Sequence, residues 1–290
     1  MTNNRISASP GSHCSSPHNG FQGVRKAVRL LACLTVGLLA CSPASVTDDL
    51  TSPLDFQLPD GVEMHLSVAE TVDGRLEGQG VISGKRLTPG PFPGTGDTVA
   101  RFDMSMTWEP VNGKRLQTGS IGYQRIDASA EVTLGLRITE VNGRPDDDLE
   151  LTEPPYVDLQ APLTLGSSWE FRSPRHISRP KPQRTMFHFR LTVQAKELTV
   201  VVPAGRFERC LRIVTEGFSE QKFPLTCGDS TRARRVLKDF HVYFCPGAGN
   251  LLEYVYERYG DPGRPDPACP TNLMKSVATR LRRIPAAASP

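Results

Sequence analysis

Four histidines downstream of residue 41, namely His65, His176, His188 and His241, are the side chains best suited to bind a metal or move a proton near neutral pH. His65, His188 and His241 stand in the stretches "MHL", "FHF" and "FHV", where each faces away from the apolar side of its strand. A polar face shared by several strands could gather imidazoles around zinc or copper. No two of the four are close in sequence, however, and a solvent-facing strand position accounts for each. No metal and no cofactor is therefore expected.

Ser230, in "CGDST" at 227 to 231, is similar in its immediate neighbours to the nucleophile block of GDSL-type lipases. Those enzymes place the serine near the start of an α/β scaffold and pair it with a distant Asp-x-x-His, which this chain lacks. A nucleophilic serine needs a base within hydrogen-bond reach, and no catalytic residue is expected. Asp146, Asp147, Asp148 and Glu150 in "RPDDDLE" could offer oxygens to calcium, but without the alternating ligand spacing of an EF-hand they read as a solvated acidic loop. "RPKPQR" at 179 to 184 reads as an exposed basic connector. Aromatics interleaved with bases, as single-stranded nucleic acid requires, are not evident.

Cys210, Cys227, Cys245 and Cys269 lie 17, 18 and 24 residues apart, unlike the close pairs of a zinc site. An even number of thiols suits an exported chain with two disulfides, and three pairings are open.

The elements that carry these residues read as strands. In "TVARFDMSMTW", Ala100, Phe102, Met104, Met106 and Trp108 alternate with polar residues. The same period places Val62, Met64, Leu66 and Val68 on one face, as it does Val132, Leu134, Leu136 and Ile138, and Phe187, Phe189, Leu191 and Val193. Asn112-Gly113 marks a hairpin. Between residues 55 and 260 no helical period stands out, so apolar strand faces must cover one another. The fold class is mainly β, with antiparallel sheets forming a sandwich or a partly closed barrel. "NLMKSVATRLRRI" puts Leu273, Val277 and Leu281 at i, i+4 and i+8 and predicts a short basic C-terminal helix or tail, with Lys275, Arg280, Arg282 and Arg283 able to meet anionic groups.

The N-terminus sets the compartment. Arg25, Lys26 and Arg29 precede an uncharged run from Leu30 to Ala40, far short of the ~20 residues a membrane-spanning helix needs. This is the pattern of a signal peptide. Leu38-Leu39-Ala40-Cys41 resembles a bacterial lipobox, which implies cleavage before Cys41, diacylation of its thiol and anchoring to a membrane. Ser42 in the next position implies, by likeness to enterobacterial lipoproteins, sorting to the outer membrane. Translation could start at Val24, which would leave a signal peptide of ordinary length. Of the 34 basic residues four lie before Cys41, with no acid beside them, so the exported part carries 30 bases against 31 acids. The net charge of +3 belongs to the signal peptide and gives no reason to expect a nucleic-acid partner.

Three stretches carry a further resemblance. "PLTLGSSWEF" (162 to 171), "VVPAGRFERCLRI" (201 to 213) and "YFCPGAGNLLEY" (243 to 254) resemble the P-L-x-x-G-x-x-W, V-P-A-G-x-F and Y-x-x-G-x-G blocks of TapB-like exported bacterial proteins, over about residues 155 to 260. The resemblance implies an exported β domain and supplies no active site. A hairpin of strands 208 to 216 and 235 to 245, with its tip near Cys227, sets Cys210 opposite Cys245. Cys227 then pairs with Cys269, the alternative being a local bridge from Cys227.

The expected organisation is a lipoprotein signal peptide (1 to 40), a Pro-punctuated tether (41 to 58), a β domain (59 to 260) of one or two similar parts, and a Pro-rich tail (261 to 290). The expected function is that of a membrane-anchored envelope protein whose β domain binds or scaffolds an envelope protein or lipid without catalysis. The alternatives are a lipid or lipoprotein carrier of the LolA type and, third, a hydrolase. The expected location is the outer membrane, on its periplasmic or its surface face.

Overall fold

The strand that ends in Trp108 shows how the wall is built. Phe102, Met104, Met106 and Trp108 are all buried, while Arg101, Asp103, Ser105 and Thr107 between them reach outwards. Trp108 fits because Gly78 and Gly80 face it on the next strand: a Cβ at Gly78 would stand 2.4 Å from the indole Cζ2.

A computed structural model describes residues 50–177, 183–222, 227, 234–261 and 267–284. Twelve strands follow in chain order: β1 (Val62–Val72), β2 (Arg75–Pro91), β3 (Thr98–Pro110), β4 (Leu116–Ile126), β5 (Ala130–Val141), β6 (Arg144–Gln160), β7 (Ser168–Ile177), β8 (Gln183–Val202), β9 (Gly205–Lys222), β10 (Arg234–Cys245), β11 (Gly249–Gly260) and β12 (Thr271–Arg283). Each pairs antiparallel with its chain neighbours, and β12 pairs with β1 from Asn272–Val72 to Arg283–Val62, closing an up-and-down barrel. The thinnest seam lies between β6 and β7, with three paired residues from Glu150–Ile177 to Thr152–Arg175. Further along that seam the Trp169 indole donates to the Val157 carbonyl at 3.0 Å.

Closure pairs the strand edges except along much of the β6–β7 seam, so little edge is left to template association. It also creates a filling problem, because side chains alone fill a barrel of about eight strands. Two pieces of chain answer it at one end. Residues 50 to 58 run across that end as a strap with a short 3-10 helix, Pro53–Phe56, capped by Ser52, whose hydroxyl accepts from Leu54 N and whose N–H donates to Asp55. Phe56 and Leu58 are each 1% exposed and join the central core. The β8–β9 hairpin tip, residues 202 to 205, also folds in, and Ala204 N–H donates to the Ala278 carbonyl of β12. That carbonyl is available because a bulge shifts the β1–β12 register between His65 and Leu66, leaving Thr279 unpaired. We call this the plugged end; it also carries the turns 127 to 129, 161 to 167 and 246 to 248.

The outer wall is polar. Lys85 pairs with Asp103 across β2 and β3 at 3.2 Å, and Arg190 with Glu170 across β7 and β8 at 3.3 Å. Barrels that cross membranes have the opposite arrangement, apolar outside and polar within. Among the described residues no helix is long and apolar enough to cross a membrane.

Three expectations change. The predicted C-terminal helix is the strand β12: Leu273, Val277 and Leu281 are also an even number of residues apart, so their spacing fits a strand, and β1 requires a partner there. The acidic segment 146 to 150 belongs to β6 rather than to a loop, and the turn before it is Asn142-Gly143. In β5 a register shift between Thr133 and Gly135 splits the expected apolar face. Glu131, Val132 and Thr133 are all buried before it and Leu136 after it, while Leu134 is half-buried.

Candidate functional site

Acids shut inside the barrel are the groups most able to do chemistry. Glu131 at the start of β5 is 2% exposed, and Asp158 near the end of β6 is 5% exposed. The Glu131 carboxylate accepts from Gln57 Nε2 of the strap at 2.9 Å and from Gln124 Nε2 of β4 at 3.0 Å. Asp158 Oδ2 accepts from the Thr133 hydroxyl at 2.6 Å. Burial pushes Glu131 up to about 7 against the help of its two amide donors. Burial, and then the neighbouring Glu131 charge, hold Asp158 well above the usual carboxylate range. The two cannot both ionise cheaply, so the pair keeps a proton at neutral pH.

A second group lies further round the same end. Glu253 on β11 is fully buried and accepts from Asn250 Nδ2 at 3.1 Å, and burial raises it to about 8. Its Oε1, Asn250 Oδ1 and the hydroxyl of Ser276, which faces Glu253 across β11 and β12, have no hydrogen-bond partner among the described residues. Towards the far end, Asn272 Nδ2 donates to Glu70 at 2.7 Å and to Glu257 at 3.1 Å, tying β12 to β1 and β11.

A close carboxyl pair with raised pKa values has the makings of a general acid and base. Here the pair is roofed by Gln57, which also donates to the Pro53 carbonyl at 2.8 Å. The arrangement fastens the strap to the wall and keeps water from the acids.

The histidines are spread around the barrel. His65 Nε2 lies 3.3 Å from Glu63 on the outer face of β1, and His188 Nε2 lies 2.6 Å from Glu220 with its ring stacked on Phe218. His241 is on β10, three strands round from β1. The His176 side chain, Ser230 and residues 179 to 182 of the basic connector lie outside what the structure describes, as does Cys41. Asp147 pairs with Arg137, and no group of three or more metal-binding side chains occurs among the described residues. Cys210 is bonded to Cys245 at the plugged end and Cys227 to Cys269 at the far end. Two disulfides fit an exported protein.

The sequence reading missed Glu131, Asp158 and Glu253. Gln124, Glu131 and Thr133 are polar on both sides of one turn, at alternate positions on facing strands, which is the trace that could have revealed an inward polar cluster. The stretches 162 to 171, 201 to 213 and 243 to 254 all fall towards the plugged end, with the 161 to 167 loop and Trp169, the β8–β9 tip and the 246 to 248 turn. No family model matches the chain, and neither does any curated protein or solved structure.

Proposed function

We propose that this chain is a lipid-anchored protein of the bacterial cell envelope whose barrel serves as a non-catalytic binding or scaffolding module. The observation that carries this reading is the partition of the wall. Inward residues from Met64 to Ala278 form a buried core, the acids that point inward are shut in with it, and the ion pairs stand on the outer faces and loops. A partner then has the outside to recognise, and the buried acids are out of reach of a substrate.

A second reading is favoured by the strand number. Twelve strands enclose more space than the side chains of an ordinary small barrel fill, and a carrier of acyl chains of the LolA type would use such an apolar interior. Native mass spectrometry of the mature chain from Ser42, made in an oxidising compartment, separates the two. A mass matching the oxidised chain alone supports the scaffold. An added mass of a few hundred daltons that organic extraction removes makes the carrier reading the better one. Anchoring is tested by Cys41→Ala, which should abolish incorporation of labelled palmitate and release the protein from membranes. Palmitate incorporation that survives the substitution refutes it.

A further inference from the structure

We infer that the plugged end of the barrel is a membrane-docking face that rests on the headgroups of a bilayer containing anionic lipid. This rests on the anchoring at Cys41 proposed above. Four large apolar side chains stand exposed at this end: Leu165 and Val201 at 69% each, Leu54 at 38% and Ile284 at 37%. They come from four separate pieces of chain, namely the β6–β7 loop, the end of β8, the strap and the residue after β12. None is needed by the core, which the same segments already supply through Leu163, Val200, Val202 and Phe56.

The charge at this end suits a lipid surface. Arg280, Arg282 and Arg283 at the end of β12 are exposed and form no ion pair among the described residues. Three acids of this end are already engaged: Asp60 meets Arg86 at 3.8 Å, Glu197 meets Arg209 at 3.6 Å and Glu208 meets Arg206 at 2.7 Å. Apolar tips flanked by unpaired arginines are the elements of interfacial binding.

The path of the chain points the same way. The Leu50 carbonyl is held at this end by Lys196 Nζ at 3.1 Å, and Leu163 N donates to the Thr51 carbonyl at 2.9 Å. Eight residues separate Leu50 from Cys41, a reach of about 30 Å even when fully extended. An acylated Cys41 would hold the plugged end nearest the bilayer and keep the exposed tips at high local concentration beside it.

The test places an environment-sensitive fluorophore on the full chain at Leu165→Cys and, as the far-end control, at Val111→Cys, a residue 56% exposed in the β3–β4 turn. Each protein is inserted into vesicles of phosphatidylethanolamine and phosphatidylglycerol. The mass of the N-terminal peptide is read from the same sample. The expected result is a blue-shifted, lipid-quenched signal at 165 and a water-like signal at 111, with the shift at 165 lost when Arg280, Arg282 and Arg283 are changed to Glu. A water-like signal at 165 on a chain whose Cys41 is acylated overturns docking and leaves anchoring intact. A signal at 165 indifferent to the three charge reversals overturns the role of anionic lipid. If Cys41 carries no acyl group, the anchoring reading fails, and the labelled chains are instead titrated with excess vesicles. Binding seen at 165, weakened by at least about fivefold per arginine reversed, then keeps the docking face, and its absence removes it.

Discussion

Glu253 is an acid that the fold keeps protonated, and this gives the protein a pH dependence with a definite sign. Its pKa rises from the usual carboxylate range to about 8, and that of Glu131 to about 7, both because burial disfavours the charge. Between the unfolded value near ~4.3 and those folded values, the native state holds protons that the unfolded chain has released. Stability is therefore highest at the acid end and falls as pH rises from about 5 to 8, by up to about 1.4 kcal/mol per pH unit for each such group. Denaturant unfolding across that range should show the decline, and Glu253→Gln, neutral at every pH, should flatten part of it; a wild-type midpoint that rises with pH would contradict the assignment. Gln57→Ala should act on Glu131 in a different way. It removes a donor to the carboxylate while the strap backbone stays, so Glu131 should titrate still higher, and a buried bond worth about 1–3 kcal/mol is lost. Carboxyl carbon shifts followed by NMR against pH would report the first effect and unfolding the second.

Among the elements, the strands were legible wherever alternation ran unbroken. The faces read for Val62 to Val68, Ala100 to Trp108 and Phe187 to Val193 are the faces that the barrel buries, because a period of two leaves one register that covers the apolar side. The reading went astray at bulges. In β5 the shift after Thr133 turns Glu131 and Thr133 inward on one side and Leu136 inward on the other, and no local residue type announces it. The inward face of β12, Asn272, Met274, Ser276 and Ala278, is small and polar enough that the outward Leu273 and Val277 took over the pattern. Gly217 marks a bulge whose need for glycine is measurable. Its φ is +144°, and a Cβ there would lie 1.8 Å from the His188 carbonyl oxygen on β8. Gly217→Ala should cost on the order of 3 kcal/mol through steric and backbone strain together. Gly84→Ala, at an ordinary φ and with Met104 Cγ 3.8 Å from the added Cβ, should be much milder. Thermal unfolding of the pair tests this, and equal losses would mean that β8 yields to the added methyl.

At the scale of the whole molecule, the sequence allowed a sandwich or a barrel because alternation says which face is covered and not by what. Closure depends on β12 meeting β1, a pairing between chain ends that no short stretch encodes. The inward acids were hidden for a related reason: Gln57, Gln124, Glu131 and Asp158 converge only once the ring is closed and the strap crosses it. The covalent links were easier to read, since the pairing of Cys210 with Cys245 follows from the symmetry of the hairpin they flank, β9 and β10. The disulfides divide the work between the two ends. Cys210–Cys245 closes a loop of 35 residues beside the folded-in β8–β9 tip, and Cys227–Cys269 closes one of 42 at the far end. By loop-closure entropy each should be worth about 4 kcal/mol, but their effects on the fold should differ. Replacing Cys210 and Cys245 with Ala leaves two small groups in a site that is fully buried, so it should lower the unfolding midpoint by the full entropic amount plus lost packing. Replacing Cys227 and Cys269 removes a link that packs with Tyr259 in a small cluster apart from the central core, so its cost should stay close to the entropic amount. Denaturant midpoints of the two double variants, made in an oxidising compartment, decide the order. A larger loss from the far-end pair would mean that the closure of β11 on β12, rather than the plug, limits the stability of the barrel.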